Sequence, residues 1–112
     1  MCGVIGISEG RQEILLRGGL KVIEHRGPDE MGVFADDFVT LGHQRLAIID
    51  LSPLGHQPMQ VLHNGKTISI SFNGEVYNYK ELKKDLIEKG CVFVGGSDTE
   101  VILRGFILEG KN

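Results

Sequence analysis

Short strand-like segments that follow one another with only a turn between them constrain this chain most. Residues 32–36 and 39–49 are both strand-like, and Asp36-Asp37 supplies the turn between them. Residues 67–72 alternate, with Ile68 and Ile70 on one side and Ser69 and Ser71 on the other. Gly65-Lys66 reads as a turn before them, and Asn73-Gly74 closes the strand. Residues 2–8 predict a first short strand and residues 91–94 a last one. Helical spacing is confined to three stretches. Residues 11–25 carry Ile14, Leu15, Val22 and Ile23, with Gly18 and Gly19 in the same face. That pattern predicts an amphipathic helix packing closely at its glycines. Arg26-Gly27-Pro28-Asp29 ends it, because a residue before proline avoids the helical region. Asn78, with Glu81 as a capping-box partner, opens a second helix that runs to residue 89, and Gly90 closes it. Ser97 with Glu100 repeats the box before a third helix, whose apolar face lies in residues 101–108. Residues 51–59 hold Pro53, Gly55 and Pro58 and predict a connecting loop. Strands adjacent in sequence beside three helices imply an α+β fold with a largely antiparallel sheet. A chain of 112 residues fits one domain with one modest core.

Composition excludes several classes of partner. The net charge is −3 and the Lys and Arg residues are scattered, which argues against nucleic acid and against an anionic membrane. No apolar run is long enough to span a bilayer, and no basic stretch followed by an apolar one marks a signal peptide. The two cysteines, Cys2 and Cys91, make no disulfide framework, so a cytoplasmic location is expected. His25, His43, His56 and His63 lack metal-ligand spacing, so no metal site is expected.

Chemistry concentrates at Cys2. Removal of Met1 would leave a cysteine whose own α-amine stands beside its thiol. The amine titrates at roughly 7.7–8.0 and can take the thiol proton near neutral pH, giving the N-terminal form of an activated nucleophile. The bland alternative is a small, half-buried residue near the terminus. Arg45 interrupts an apolar strand in Gly42-His43-Gln44-Arg45-Leu46 and needs a carboxylate partner. An internal Asp or Glu is favoured over a ligand carboxylate. Asn73-Gly74 reads first as a turn and second as an oxyanion device, with the Asn amide and the Gly N–H as donors. In Gly95-Gly96-Ser97-Asp98-Thr99-Glu100, Ser97 or Asp98 would cap a helix, or Asp98 would receive an ammonium group. Its acidity and lack of a lysine exclude a phosphate loop. A thiol, an amine, an Arg, an Asn-Gly pair and an Asp together suit attack on the side-chain amide of a free amino acid, glutamine being the obvious one.

The opening Met1-Cys2-Gly3-Val4-Ile5-Gly6 resembles class II glutamine amidotransferases of the N-terminal-nucleophile superfamily. Five further motifs, in order, are similar to the asparagine synthase (glutamine-hydrolysing) branch. They are His25-Arg26-Gly27-Pro28-Asp29, Gly42-His43-Gln44-Arg45-Leu46-Ala47-Ile48-Ile49-Asp50, Gly55-His56-Gln57-Pro58-Met59, Asn73-Gly74-Glu75-Val76-Tyr77-Asn78 and Ser97-Asp98-Thr99-Glu100. The resemblance implies a four-layer αββα sandwich with largely antiparallel sheets, here incomplete at the C-terminus. It implies Cys2 as nucleophile and Asn73 with Gly74 as oxyanion hole. Glutamine would be bound by Arg45 and Asp98, with Glu75 nearby and the backbone of Leu46 and Ile48 lining the site.

The family's glutaminase domain is longer than this chain and is followed by a synthetase domain. Residues 1–112 therefore read as the N-terminal part of a glutamine amidotransferase type-2 domain, without its synthetase domain. No cofactor is expected in this chain; ATP and magnesium are implied for the missing domain, which would be a partner alongside L-glutamine. An uncovered sheet edge would also favour a homo-oligomer. Two alternatives remain. The chain is a catalytically inert fragment with Met1 retained, or it serves a cell-envelope acceptor in place of aspartate.

Overall fold

The computed structural model describes residues 2–48 and 50–110. Strand β1 (Gly3–Ile7) leads into helix α1 (Glu13–Val22), then strands β2 (Glu30–Ala35) and β3 (Thr40–Arg45). A hairpin of β4 (Met59–His63) and β5 (Lys66–Ile70) precedes helices α2 (Tyr79–Glu88) and α3 (Asp98–Glu109). Strands β1, β3 and β2 form one sheet in that order, antiparallel throughout, and β4–β5 form a second. This is a small α+β domain with antiparallel sheets and three helices, the fold class expected from the strand spacing.

The turn between β2 and β3 lies where Asp36-Asp37 predicts it. The Asp36 carboxylate accepts from the backbone N–H groups of Phe38 and Val39 at 2.7 and 2.8 Å, so a side chain stands in for a backbone turn bond. The β4–β5 turn falls one residue earlier than predicted. Asn64 and Gly65 both have positive φ, 51° and 77°, which is what a two-residue hairpin turn matching strand twist requires. Met59, placed at the end of a loop from the sequence, instead starts β4 opposite Ile70.

Four further expectations are corrected. The segment 91–94 is not a strand, because the N–H groups of Val94 and Gly95 donate to the Glu100 carboxylate at 2.9 and 2.8 Å. Strand β3 stops at Arg45 rather than at residue 49, since the next N–H groups go to side chains: Leu46 to the Cys2 sulfur and Ala47 to Asp29. Ile49 itself lies outside the described residues. Asn78 makes no side-chain capping bond. Ser97 does cap its helix, accepting from the N–H groups of Thr99 and Glu100, but Glu100 accepts from Val94 and Gly95 rather than completing a box.

Helix α1 spans Glu13–Val22, short of the predicted 11–25, and a 3-10 turn at Glu24–Arg26 follows it. It lies on the three-stranded sheet through Leu16 and Leu20, which are buried. Gly42 of β3 makes room for them: a Cβ there would stand 2.6 Å from Leu16 and 2.8 Å from Leu20. Gly19 allows a similar approach to Ile5, whereas Gly18 has nothing within 4 Å. The apolar face predicted from sequence is therefore rotated. Ile14 is 91% exposed, Leu15 65% and Val22 76%. Helix α3 packs against α2 and against the β4–β5 hairpin. No described helix is long and apolar enough to cross a membrane.

The core holds a buried histidine. His43 Nε2 lies 3.1 Å from the Phe72 carbonyl and its Nδ1 has no partner. Burial pushes its pKa below the ordinary value, so the ring is neutral and Nε2–H donates to Phe72. A histidine depressed in the folded state stabilises the fold above its unfolded pKa, about 6.5, and opposes it as pH falls below. Burial tends to raise Glu30, but bonds from Arg45 and His56 outweigh it and hold the carboxyl low. Its contribution is present above the unfolded carboxylate range of about 4.3 and is lost below it. The thermal midpoint should be level above neutral pH, decline from about pH 6.5 and fall more steeply below about 4.3. A melting series by circular dichroism on the wild type and His43→Gln checks this; the first decline should flatten in the variant.

Candidate functional site

Cys2 sits just before β1, and its sulfur is held by the backbone beyond β3. The Leu46 N–H donates to Sγ at 3.3 Å and the thiol faces the Leu46 carbonyl at 3.6 Å. The Arg26-Gly27-Pro28-Asp29 loop fixes this arrangement from the other side. Arg26 Nε donates to the Cys2 carbonyl at 3.1 Å, and Asp29 Oδ2 accepts from the Ala47 N–H at 2.8 Å. The Asp29 N–H in turn donates to the Arg45 carbonyl at 2.9 Å. A motif without an assigned role in the sequence is thus the brace between Cys2 and the strand end beside it.

A cavity of about 120 Å³ opens over Cys2. Its lining includes all eight residues singled out from the sequence: Cys2, Arg45, Leu46, Ile48, Asn73, Gly74, Glu75 and Asp98. It also includes Asp50, Gln57, Phe72 and Thr99, which sequence reasoning missed. Gln57 and Thr99 carry no signal of their own, being a neutral amide in a loop and a hydroxyl behind a helix cap.

Arg45 is buried and its guanidinium has internal partners. Nη1 donates to Glu30 at 3.0 Å, and Nη2 donates to the Asp50 carbonyl. The second Glu30 oxygen lies 2.8 Å from His56 Nδ1. The favoured internal acid is therefore Glu30. Two of the five guanidinium N–H donors are committed in this way.

Asn73 and Gly74 follow β5 at the cavity wall. The preceding Phe72 is clamped at both ends, its N–H donating to Gln57 Oε1 at 2.7 Å and its carbonyl accepting from His43. Asp98 is buried at the first turn of α3, and one of its oxygens accepts from the Val76 N–H at 2.8 Å. That bond ties the chain after Asn73-Gly74 to the helix start. Glu75 is exposed at the rim.

The loop before α3 is tied by carboxylates. Glu100 takes the N–H groups of Val94 and Gly95, and Asp50 Oδ2 takes that of Gly96 at 2.8 Å. Three successive amides that could have cradled a phosphate are already occupied. Bonds from the Ser52 hydroxyl and then the Gly96 amide hold the Asp50 carboxyl below its ordinary range. Glu100 is buried and also accepts from Arg104 Nε at 3.1 Å. Glu100→Ala strands two amides and a guanidinium, and should cost about 3 kcal/mol. Urea unfolding checks this; Glu100→Gln, which keeps one acceptor, should lose less. Among the described residues no group of three or more His, Cys, Asp or Glu side chains is gathered as a metal site.

Comparison with known proteins shows the family of the chain. Residues 1–112 match the glutamine amidotransferase domain family. An asparagine synthetase [glutamine-hydrolyzing] 3 of Bacillus subtilis (strain 168) is 36% identical over 112 residues, 96% of this chain and 18% of the relative. Asparagine synthetase [glutamine-hydrolyzing] 1 of the same organism is 43% identical over 110 residues, covering 92% and 17%. Amidase chry2 of Gibberella zeae is 44% identical over 90 residues, covering 79% and 13%. The chain spans less than a fifth of the length of these relatives.

Proposed function

The chain belongs to the glutamine amidotransferase domain family, and from that premise we propose that its cavity hydrolyses L-glutamine to glutamate and ammonia. The observation that carries the reading is the convergence on one cavity of Cys2, Asn73-Gly74, Arg45 and Asp98. In this reading residues 1–112 are the first part of a type-2 amidotransferase domain with a four-layer αββα sandwich. The packing of α1 on the three-stranded sheet and of α3 on the β4–β5 hairpin supports that layering.

With Met1 removed, the α-amine takes the thiol proton and the sulfur attacks the side-chain amide carbon. An S–C bond forms, and the carbonyl electron pair moves on to oxygen. The Asn73 side-chain amide and the Gly74 N–H donate to that oxyanion. The pair returns, the C–N bond breaks, and the proton held by the amine leaves with nitrogen as ammonia. Water then cleaves the glutamyl thioester and regenerates Cys2. Arg45 offers its remaining N–H donors to the α-carboxylate, Asp98 its second oxygen to the α-ammonium, and the Leu46–Ile48 backbone lines the side chain. Met1 lies outside the described residues.

The ammonia would serve asparagine synthesis, as the names of two relatives suggest, in a synthetase domain for which the family resemblance implies ATP, magnesium and aspartate. In a second reading the same glutaminase chemistry serves an acceptor other than aspartate, such as a cell-envelope carboxylate; one relative is named an amidase and not an asparagine synthetase.

Intact mass spectrometry with a glutamine-mimicking diazoketone tests the site. The expected result is loss of Met1 and one adduct on Cys2, blocked by excess glutamine. A retained Met1, or adducts shared equally with Cys91, would mark the chain as catalytically inert and overturn the proposal.

A further inference from the structure

Resting on the glutaminase reading, we infer that Gln57 is the positioning residue of the oxyanion turn, acting through Phe72. Its side chain is buried and each end has one partner. Oε1 accepts from the Phe72 N–H at 2.7 Å, and Nε2 donates to Thr99 Oγ1 at 3.1 Å. Thr99 belongs to α3, directly after Asp98. Gln57 therefore joins the residue before Asn73 to the residue after Asp98, while the Val76 N–H joins the far side of the same turn to Asp98 itself. The Phe72 carbonyl is held independently by His43. Both polar groups of the Phe72 main chain are thus fixed by buried side chains, and the direction of the Asn73 backbone follows from them.

An oxyanion hole works only when its donors already point at the place where charge develops. A segment outside any sheet ladder, as residues 71–74 are, cannot take that order from strand pairing. The Gln57 amide supplies it instead, because it is the acceptor for the one main-chain donor of Phe72. Gln57 contacts the turn through Phe72 rather than through Asn73 or Gly74, so its effect should fall on the transition state and spare ground-state binding by Arg45 and Asp98.

The test is steady-state ammonia release by the wild type, Gln57→Met and Thr99→Val. Gln57→Met keeps the length and loses both polar ends. It should lower kcat about 10- to 100-fold, the scale expected for a misplaced catalytic group, while KM for glutamine stays within about twofold. Thr99→Val leaves Gln57 in place but unanchored. It should show the same split with a smaller loss, about three- to tenfold, so the inference stays testable if Gln57→Met folds poorly. Iodoacetamide alkylation of Cys2 should be unchanged in both variants, marking an intact nucleophile. Equal losses through KM, or an unchanged kcat, would overturn the positioning role alone. A wild type that alkylates at Cys2 yet releases no ammonia would overturn the glutaminase reading and this inference with it.

Discussion

Cys2→Ala abolishes ammonia release from glutamine, with an expected fall of about 10⁴-fold or more, to assay background. No other described residue combines a thiol with this cavity, since Cys91 is not part of its lining. The fold should survive. The substitution takes away a half-buried sulfur that is hydrogen-bonded to the N–H and carbonyl of Leu46, so the change in stability should stay within about 1 kcal/mol. A coupled glutamate assay beside a melting curve separates the two effects. Undiminished release by a folded variant would remove Cys2 from the mechanism.

Gly27→Ala should damage both stability and activity from outside the cavity. A Cβ at position 27 would stand 2.2 Å from the Gln44 carbonyl oxygen and 2.6 Å from the Arg45 carbonyl carbon. Both are main-chain atoms of β3, and no rotamer change can clear them. The 26–29 loop must move off the strand, and overpacking of this kind costs about 1–3 kcal/mol, occasionally more. The same movement pulls Arg26 from the Cys2 carbonyl and Asp29 from the Ala47 N–H. Activity should therefore fall at least tenfold even at temperatures where the variant remains folded. Urea unfolding together with ammonia release checks both parts. A variant as stable and active as the wild type would show that the loop does not brace the nucleophile.

The parts of the fold that are legible in the sequence are those set by local chemistry. The Asp36-Asp37 turn, the Gly90 helix end and the Ser97 cap depend on a few neighbouring residues, and they appear where expected. The parts that differ depend on distant partners. Val92 and Val94 are strand-like residues, but the Val94 N–H is claimed by Glu100, six positions on. Leu46 and Ala47 leave the sheet because Cys2 and Asp29 claim their amides. The buried face of α1 is hidden in the sequence because Ile14, Leu15 and Val22 outnumber Leu16 and Leu20, and periodicity alone does not say which side meets the sheet. The candidate site is legible as residue types, since thiol, guanidinium, Asn-Gly and Asp imply a chemistry. Its supports are not: Glu30, Gln57 and Thr99 matter only through what they touch.

The lining of the cavity also bears on how a reaction cycle would end. Asp50, Glu75 and Asp98 set three carboxylates against the single guanidinium of Arg45, whose charge Glu30 already offsets. The surrounding potential is therefore negative. On the proposed mechanism glutamine would enter as a neutral zwitterion and meet little opposition. Glutamate would carry one more negative charge, formed within the cavity when the thioester is cleaved. Such a site would disfavour its own product, and weak product inhibition that tightens as added salt screens the carboxylates is the expected signature.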